Sequence, residues 1–281
     1  MTRSKSSGPQ SGNPPRVRRA YFECRFGQLH VRYAVPAGGG FDEATTLLCF
    51  HQSPMSARTF DRFLPEMARD RSVYAIDTPG YGGSDAPATP PAIADYAAAM
   101  RDFLETMRFR KVDLLGYHTG TLIAAQLALA CPEQVRRLVL VGLPLLNEPE
   151  RAAFRKTPAT VPIAEDGSHL LKEWQASMQW RAPGISLESI AASFAEKLHN
   201  GPNAGWGSRA VMEYPAVERL HAIKQPTLVL RCRDHLWEAS ARAKGVLRTC
   251  TIIDLPQAGF GLFDVMPEKI AATCREFLAG D

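Results

Sequence analysis

Gly116-Tyr117-His118-Thr119-Gly120 is the stretch of this chain best suited to chemistry. Glycines two before and two after a central residue allow a sharp reversal from strand to helix, which lifts the central side chain above the end of a sheet. That is the geometry of a nucleophile elbow, where the central residue is ordinarily serine. Here it is histidine. An imidazole can take a proton near neutral pH, or attack a carbonyl itself. At the start of a helix the positive end of the dipole disfavours imidazolium, so a neutral ring at pH 7 is expected. Three roles stand open for His118: general base, nucleophile, or none, in a pocket that only binds.

A turn of this kind needs a sheet beneath it, and the flanking pattern supplies one. The continuous apolar run at 45–50 and the stretch at 72–76 suit strands covered on both faces, and the largely apolar stretches at 112–115, 135–143, 226–232 and 250–255 read as further strands. Helical patterns separate them at 57–68 (capped by Ser56), 93–109, 119–130, 240–248 and 267–278. Strand–helix alternation of this kind predicts a mostly parallel sheet with helices on both faces. Two short strands at 21–26 and 29–35, with Gly27-Gln28 as their turn, precede it. From about 145 to 222 the alternation stops. Only helices at 170–180 and 187–198 are predicted there, together with Trp174, Trp180 and Trp206. An aromatic-rich insertion after the sixth strand reads as a helical cap over the strand ends. The expected organisation is a tail over 1–19, too rich in Ser, Pro, Gly and Arg to fold. A core follows over 20–144 and 223–281, with a cap over 145–222.

Composition narrows the function. The chain has 281 residues, 45% hydrophobic and 22% charged, enough for one large α/β domain with an insertion. The net charge is +4, but five positive charges (Arg3, Lys5, Arg16, Arg18 and Arg19) sit in the tail and the rest is near neutral, which argues against nucleic-acid binding. The six cysteines form no C-x-x-C pair. Cys49, Cys232 and Cys250 read as buried hydrophobes in a reducing compartment. No apolar run reaches eighteen residues, and no apolar segment follows the basic N-terminus as in a secretory signal. A cytoplasmic protein with no membrane partner is the expectation.

Taken together, His51-x-x-Pro54, the loop Asp77-x-Pro79-Gly80-x-Gly82-x-Ser84-Asp85, the turn at His118, Asp234 after the seventh strand and Pro267-Glu268 opening the last helix resemble the α/β-hydrolase family. The likeness covers about residues 20–280. It is strongest to the cap-bearing branch with esterases, epoxide hydrolases, dehalogenases and carbon–carbon hydrolases, and within it to a subgroup with His-Thr-Gly at the elbow. The resemblance implies an eight-stranded sheet with the cap inserted after the sixth strand. It implies an oxyanion hole from the backbone N–H groups of Gln52 and Thr119, Asp234 as the acid, and His51 as a brace for its turn. The family's base should be a histidine in the last loop, where this chain has Gly259-Phe260. With His118 replacing serine and Phe260 replacing histidine, the usual Ser–His–Asp acyl transfer is excluded.

The expected site is therefore His118 with Asp234, Gln52 and Thr119. Asp234, or Asp77 across the site, would steady the protonated ring. His51, Tyr117, Phe260, His169 and Trp237 are the expected pocket residues, giving an apolar cavity for a small carbonyl substrate. His235 directly follows Asp234, and neighbouring side chains point apart, so only one of the two is expected to face that pocket. A metal site from His118, His51 and Asp234 lacks short ligand spacing. No cofactor and no metal are expected, and oligomeric state is open, with a homodimer as one option. The functional expectation is a hydrolase-like enzyme for esters or lactones. Its alternatives are a lyase or isomerase using the same proton transfer, and a small-molecule-binding pseudoenzyme.

Overall fold

The computed structural model describes residues 15–37, 43–156, 161–179 and 181–280. Residues 1–14 of the expected tail and Trp180 lie outside them. Arg18 and Arg19, assigned to that tail, open the first strand.

Among the described residues the strands are β1 (Arg18–Cys24), β2 (Gly27–Ala34), β3 (Leu47–Phe50), β4 (Val73–Ile76), β5 (Val112–Tyr117), β6 (Val135–Val141), β7 (Thr227–Cys232) and β8 (Cys250–Leu255). They form one eight-stranded sheet in the order β1-β2-β4-β3-β5-β6-β7-β8. The β1–β2 and β2–β4 pairs are antiparallel and every other pair is parallel. Each residue of β3, β4 and β5 is buried, because helices cover both faces.

The helices are α1 (Phe63–Met67), α2 (Ile93–Thr106), α3 (Thr119–Ala130), α4 (Glu148–Lys156), α5 (Ser168–Gln179), α6 (Leu187–His199), α7 (Trp206–Glu213), α8 (Ala216–His221), α9 (Trp237–Ala241), α10 (Ala243–Val246), α11 (Leu262–Val265) and α12 (Pro267–Leu278). Strand alternation sorts the core into two layers. Leu48, Phe50, Leu114 and Leu140 pack with α2, α3 and α8. Leu47, Cys49, Leu115 and Val141 pack with α1 and α12 on the other face. Helix α3 is buried along most of its circumference, and apart from Gln126 its side chains are small or aliphatic. Helices α4 to α8 fill the stretch between β6 and β7.

Local chemistry overrode some expectations. The helix expected over 57–68 is a 3₁₀ turn, Ala57–Phe60, followed by α1. Pro65 has no N–H to donate to the preceding turn, so one continuous helix cannot form. The helix expected over 240–248 starts earlier and divides into α9 and α10 at Arg242, whose amide bonds the Ala239 carbonyl three residues back. The hairpin turn is Arg25-Phe26, with Gly27 already paired to Cys24. Arg25 is fixed there by its amide and guanidinium bonds to Asp102. Cys250 is half-buried and not a core residue.

Asp77, at the end of β4, accepts hydrogen bonds from His30 Nδ1 at 2.8 Å, the Ala57 amide at 2.7 Å and the Gly83 amide at 2.8 Å. Burial alone would raise its pKa, but His30, His51 and the two amides outweigh burial and hold it below the ordinary value. A depressed carboxyl pKa contributes stability that is fully present above the unfolded value of about 4 and lost as pH falls through the folded one. Asp77→Asn should cost about 3 kcal/mol at pH 7. The gap from wild type should narrow as the pH drops below about 4. Urea melts at the two pH values check this, and equal midpoints at pH 7 would contradict it.

Candidate active site

β5 ends at Tyr117 and α3 begins at Thr119, so His118 is the whole connection. Its backbone sits at φ 47°, ψ −112°, a conformation that costs a non-glycine residue about 1–3 kcal/mol. The turn is over-determined. The His118 amide donates to Val141 O at 2.9 Å, and its carbonyl accepts from the Thr121 amide at 2.9 Å and Thr121 Oγ1 at 2.5 Å. The flanking glycines are required by space. A Cβ on Gly116 would lie 2.3 Å from Gly120 O, and one on Gly120 would lie 2.1 Å from Phe50 O.

His118 Nε2 lies 2.8 Å from Asp234 Oδ2. The Asp234 side chain is 0% exposed and the imidazole 9%. A carboxylate accepts, so Nε2 carries the hydrogen, and in the neutral form of the ring the lone pair is on Nδ1. The other Asp234 oxygen accepts from the Leu236 amide at 2.8 Å. Burial pushes the Asp234 pKa up, but the His118 hydrogen bond and charge, and the Leu236 amide, pull it below the ordinary carboxyl value. Asp77 does not share this task, since its oxygens are taken by His30, Ala57 and Gly83.

Asp234 and His235 both reach the imidazole, contrary to the alternation expected of neighbours. The Asp234 amide bonds Cys232 O and its carbonyl accepts from the Trp237 amide. The backbone has left extended geometry, so consecutive side chains no longer point apart. Around His118 stand Tyr117, Phe260 and His235, with ring centroids 4.2, 5.3 and 5.4 Å away.

A cavity of about 200 Å³ opens on this group. His118, Thr119, Gln52 and Phe260 line it as expected, joined by Ser53, Ser208 and His235. The remaining wall is Pro144, Leu146, Phe154, Val211, Met212 and Leu236, mostly apolar. A second cavity of about 290 Å³ adjoins it and shares Gln52, Ser53 and Phe260.

Four of the expected pocket residues stand elsewhere. Tyr117 is fully buried beside the ring, where burial raises its pKa well above normal. His51 is also fully buried. It accepts from the Thr78 amide at Nε2, and its Nδ1 bonds the Gln52 carbonyl, so it braces the loop and does not join His118 around a metal. Burial lowers its pKa despite the nearby Asp77 charge. His169 Nδ1 accepts from the Ala164 amide within its own turn. Trp237 lies under the Arg231 guanidinium, 4.1 Å from ring centroid to Cζ.

Gly142 is a further contributor that the sequence does not single out. It follows β6 with φ 62°, and a Cβ there would stand 2.4 Å from His118 Cδ2 and 2.6 Å from Nε2. Its only signal was a glycine closing an otherwise apolar strand.

A model of the alpha/beta hydrolase fold matches residues 45–235. The chain is 28% identical over 208 residues to a poly(3-hydroxyalkanoate) depolymerase from Ectopseudomonas oleovorans, covering 71% of each chain. It spans 36% to 62% of several other curated relatives. Among solved structures it is similar to a hydrolase from Pseudomonas aeruginosa PA01 (TM-score 0.75, 20% identity, 93% of this chain and 98% of that one). It is also similar to the enol-lactonase from Burkholderia xenovorans LB400 (TM-score 0.74, 17% identity, 93% and 100%). Among the described residues no helix is long and apolar enough to cross a membrane.

Proposed function

The chain belongs to the α/β-hydrolase fold family, and on that premise we propose that it is a hydrolase-like enzyme for a small, partly apolar ester or lactone, with His118 as general base. The observation that carries this reading is the His118 Nε2–Asp234 bond of 2.8 Å at a cavity wall, which leaves Nδ1 free to take a proton. In this scheme Nδ1 removes a proton from water as its oxygen attacks the carbonyl carbon. The carbonyl oxygen gains the negative charge and meets the backbone N–H groups of Thr119 and Gln52. Thr119 is the first helical residue, so its amide has no acceptor within α3. Asp234 steadies the imidazolium. When the tetrahedral intermediate collapses, the leaving alkoxide takes that proton, giving acid and alcohol and restoring the base. Helices α4 to α8 act as a cap, since Leu146, Phe154, Ser208, Val211 and Met212 from this stretch wall the cavity.

The test is turnover of phenyl acetate and of simple lactones by the wild type and by His118→Ala, where loss of turnover in the variant is the expected result. The apolar wall also favours a second reading, removal of a carbon-bound proton without water. Hydrolysis in ¹⁸O-water separates the two, because only water attack labels the acid product.

Gly142→Ala tests the placement of the ring. A methyl group there forces the imidazole away from Asp234. The variant should lose about 100-fold in kcat, as when a preorganised group is displaced. The strain at its positive φ should cost about 1–3 kcal/mol, leaving the protein folded. Kinetics beside a thermal melt check both, and a fully active variant would contradict the ring position.

A further inference from the structure

We infer that the second cavity is a substrate subsite, which receives an apolar arm of the ester or lactone whose carbonyl sits against His118. The inference rests on the reading of the first cavity as a carbonyl site. The two cavities meet at Gln52, Ser53 and Phe260, so one bound molecule can extend from the first into the second. The second is bounded by the 52–55 turn on the core side and by α5 and α6 on the other. Helix α6 buries none of its residues, and α5 buries only Glu173. Pro54, Met55 and Ile190 line this chamber and are each only partly buried, so their apolar groups face open space and not packed core. Ile185 closes the chamber beside Gly261, where a Cβ would lie 2.3 Å from Ile185 Cδ1.

The wall also carries hydroxyl and charged residues, and their bonding decides which arm fits. Ser177 Oγ donates to Glu173 O at 2.9 Å, Ser189 Oγ to Asp264 Oδ2 at 3.0 Å, and Thr59 Oγ1 to Gln52 Oε1 at 3.3 Å. Ser193 Oγ accepts from Arg58 Nη2 at 3.2 Å, and the Lys197 ammonium pairs with the Glu173 carboxylate. Arg181 is exposed and gives its Nε–H to Ile185 O at 2.7 Å. Polar atoms already bonded to protein gain little from a polar ligand, while the methylene groups that carry them remain as contact surface. A hydrocarbon arm loses no hydrogen bonds on entering such a chamber. A polar arm gives up its bonds to water for few new ones. The arm is therefore an alkyl or aryl group, not a sugar or a second carboxylate.

Methyl ketones are suitable probes, since they carry the carbonyl and cannot be hydrolysed. Along a series with propyl, butyl, pentyl and hexyl arms, the Kd measured by calorimetry should fall about fourfold per added methylene, as expected for moving that group out of water. Ile190→Trp fills the chamber and should abolish the gain along the series, whereas Ile190→Ala should keep it. In wild-type protein carrying ¹³C-methyl methionine, the hexyl ketone should shift the signals of both Met55 and Met212, and acetone that of Met212 alone, because Met212 lines the first cavity and Met55 the second. A Kd independent of arm length, a gain that survives Ile190→Trp, or an unmoved Met55 signal would overturn the subsite. Should Ile190→Trp fail to fold, the Met55 signal decides by itself. None of these measurements needs turnover. The hydrolase reading fails separately, if wild type and His118→Ala turn over phenyl acetate equally.

Discussion

Replacing His118 with alanine should lower kcat for phenyl acetate by about 10³-fold, within the range that a positioned base contributes. The variant keeps the backbone donors at Thr119 and Gln52 and both cavities, so KM should change little. It should be less stable than the wild type, because the 0%-exposed Asp234 carboxylate keeps only the Leu236 amide and the ring contacts of the imidazole are lost. Alanine also relieves none of the turn's φ 47°. A melting temperature that stays above the assay temperature, beside the drop in activity, separates chemistry from folding. Unchanged activity would remove His118 from the reaction.

Asp234→Asn should be about as damaging, by about 10³-fold, for a different reason. An asparagine amide pointing at Nε2 donates where the carboxylate accepted. The proton then moves to Nδ1, the nitrogen that must be bare to act as a base. Geometry survives while the tautomer is wrong, so higher pH brings no rescue. Since the two residues act as one unit, the double variant His118→Ala with Asp234→Asn should be no slower than His118→Ala alone. A double variant that loses a further large factor would mean that Asp234 serves some other group.

The fold was legible because its signals are periodic and redundant. Runs such as Leu47–Phe50 and Val73–Ile76 cannot sit anywhere but between two covered faces, and the spacing of Gly116 and Gly120 dictates a close strand–helix crossing. The helices α4 and α7 were not legible because they are short and offer few apolar anchors: α4 buries no residue, and the buried face of α7 is only Gly207, Ala210 and Val211. In the candidate site, where the sequence left Asp234 and Asp77 as options beside His118, Asp234 lies 2.8 Å from the ring, and Gln52, Thr119 and Phe260 line the cavity. The errors lay in side-chain direction. His51 and Tyr117 are adjacent in sequence to cavity residues but face the protein interior. His235 was turned inward by a single non-extended residue, and Gly142 acts by what it lacks. None of these is encoded in residue type alone; each depends on a backbone angle or on what occupies the space beside it.

The most direct measurement is intact and peptide mass spectrometry of the protein quenched in acid during steady turnover of 4-nitrophenyl acetate, beside the initial rate of the same sample. A general base at His118 requires rapid release of 4-nitrophenol with the protein mass unchanged throughout. An acetyl group on the His118 peptide, or a rate no faster than that of His118→Ala, would contradict it.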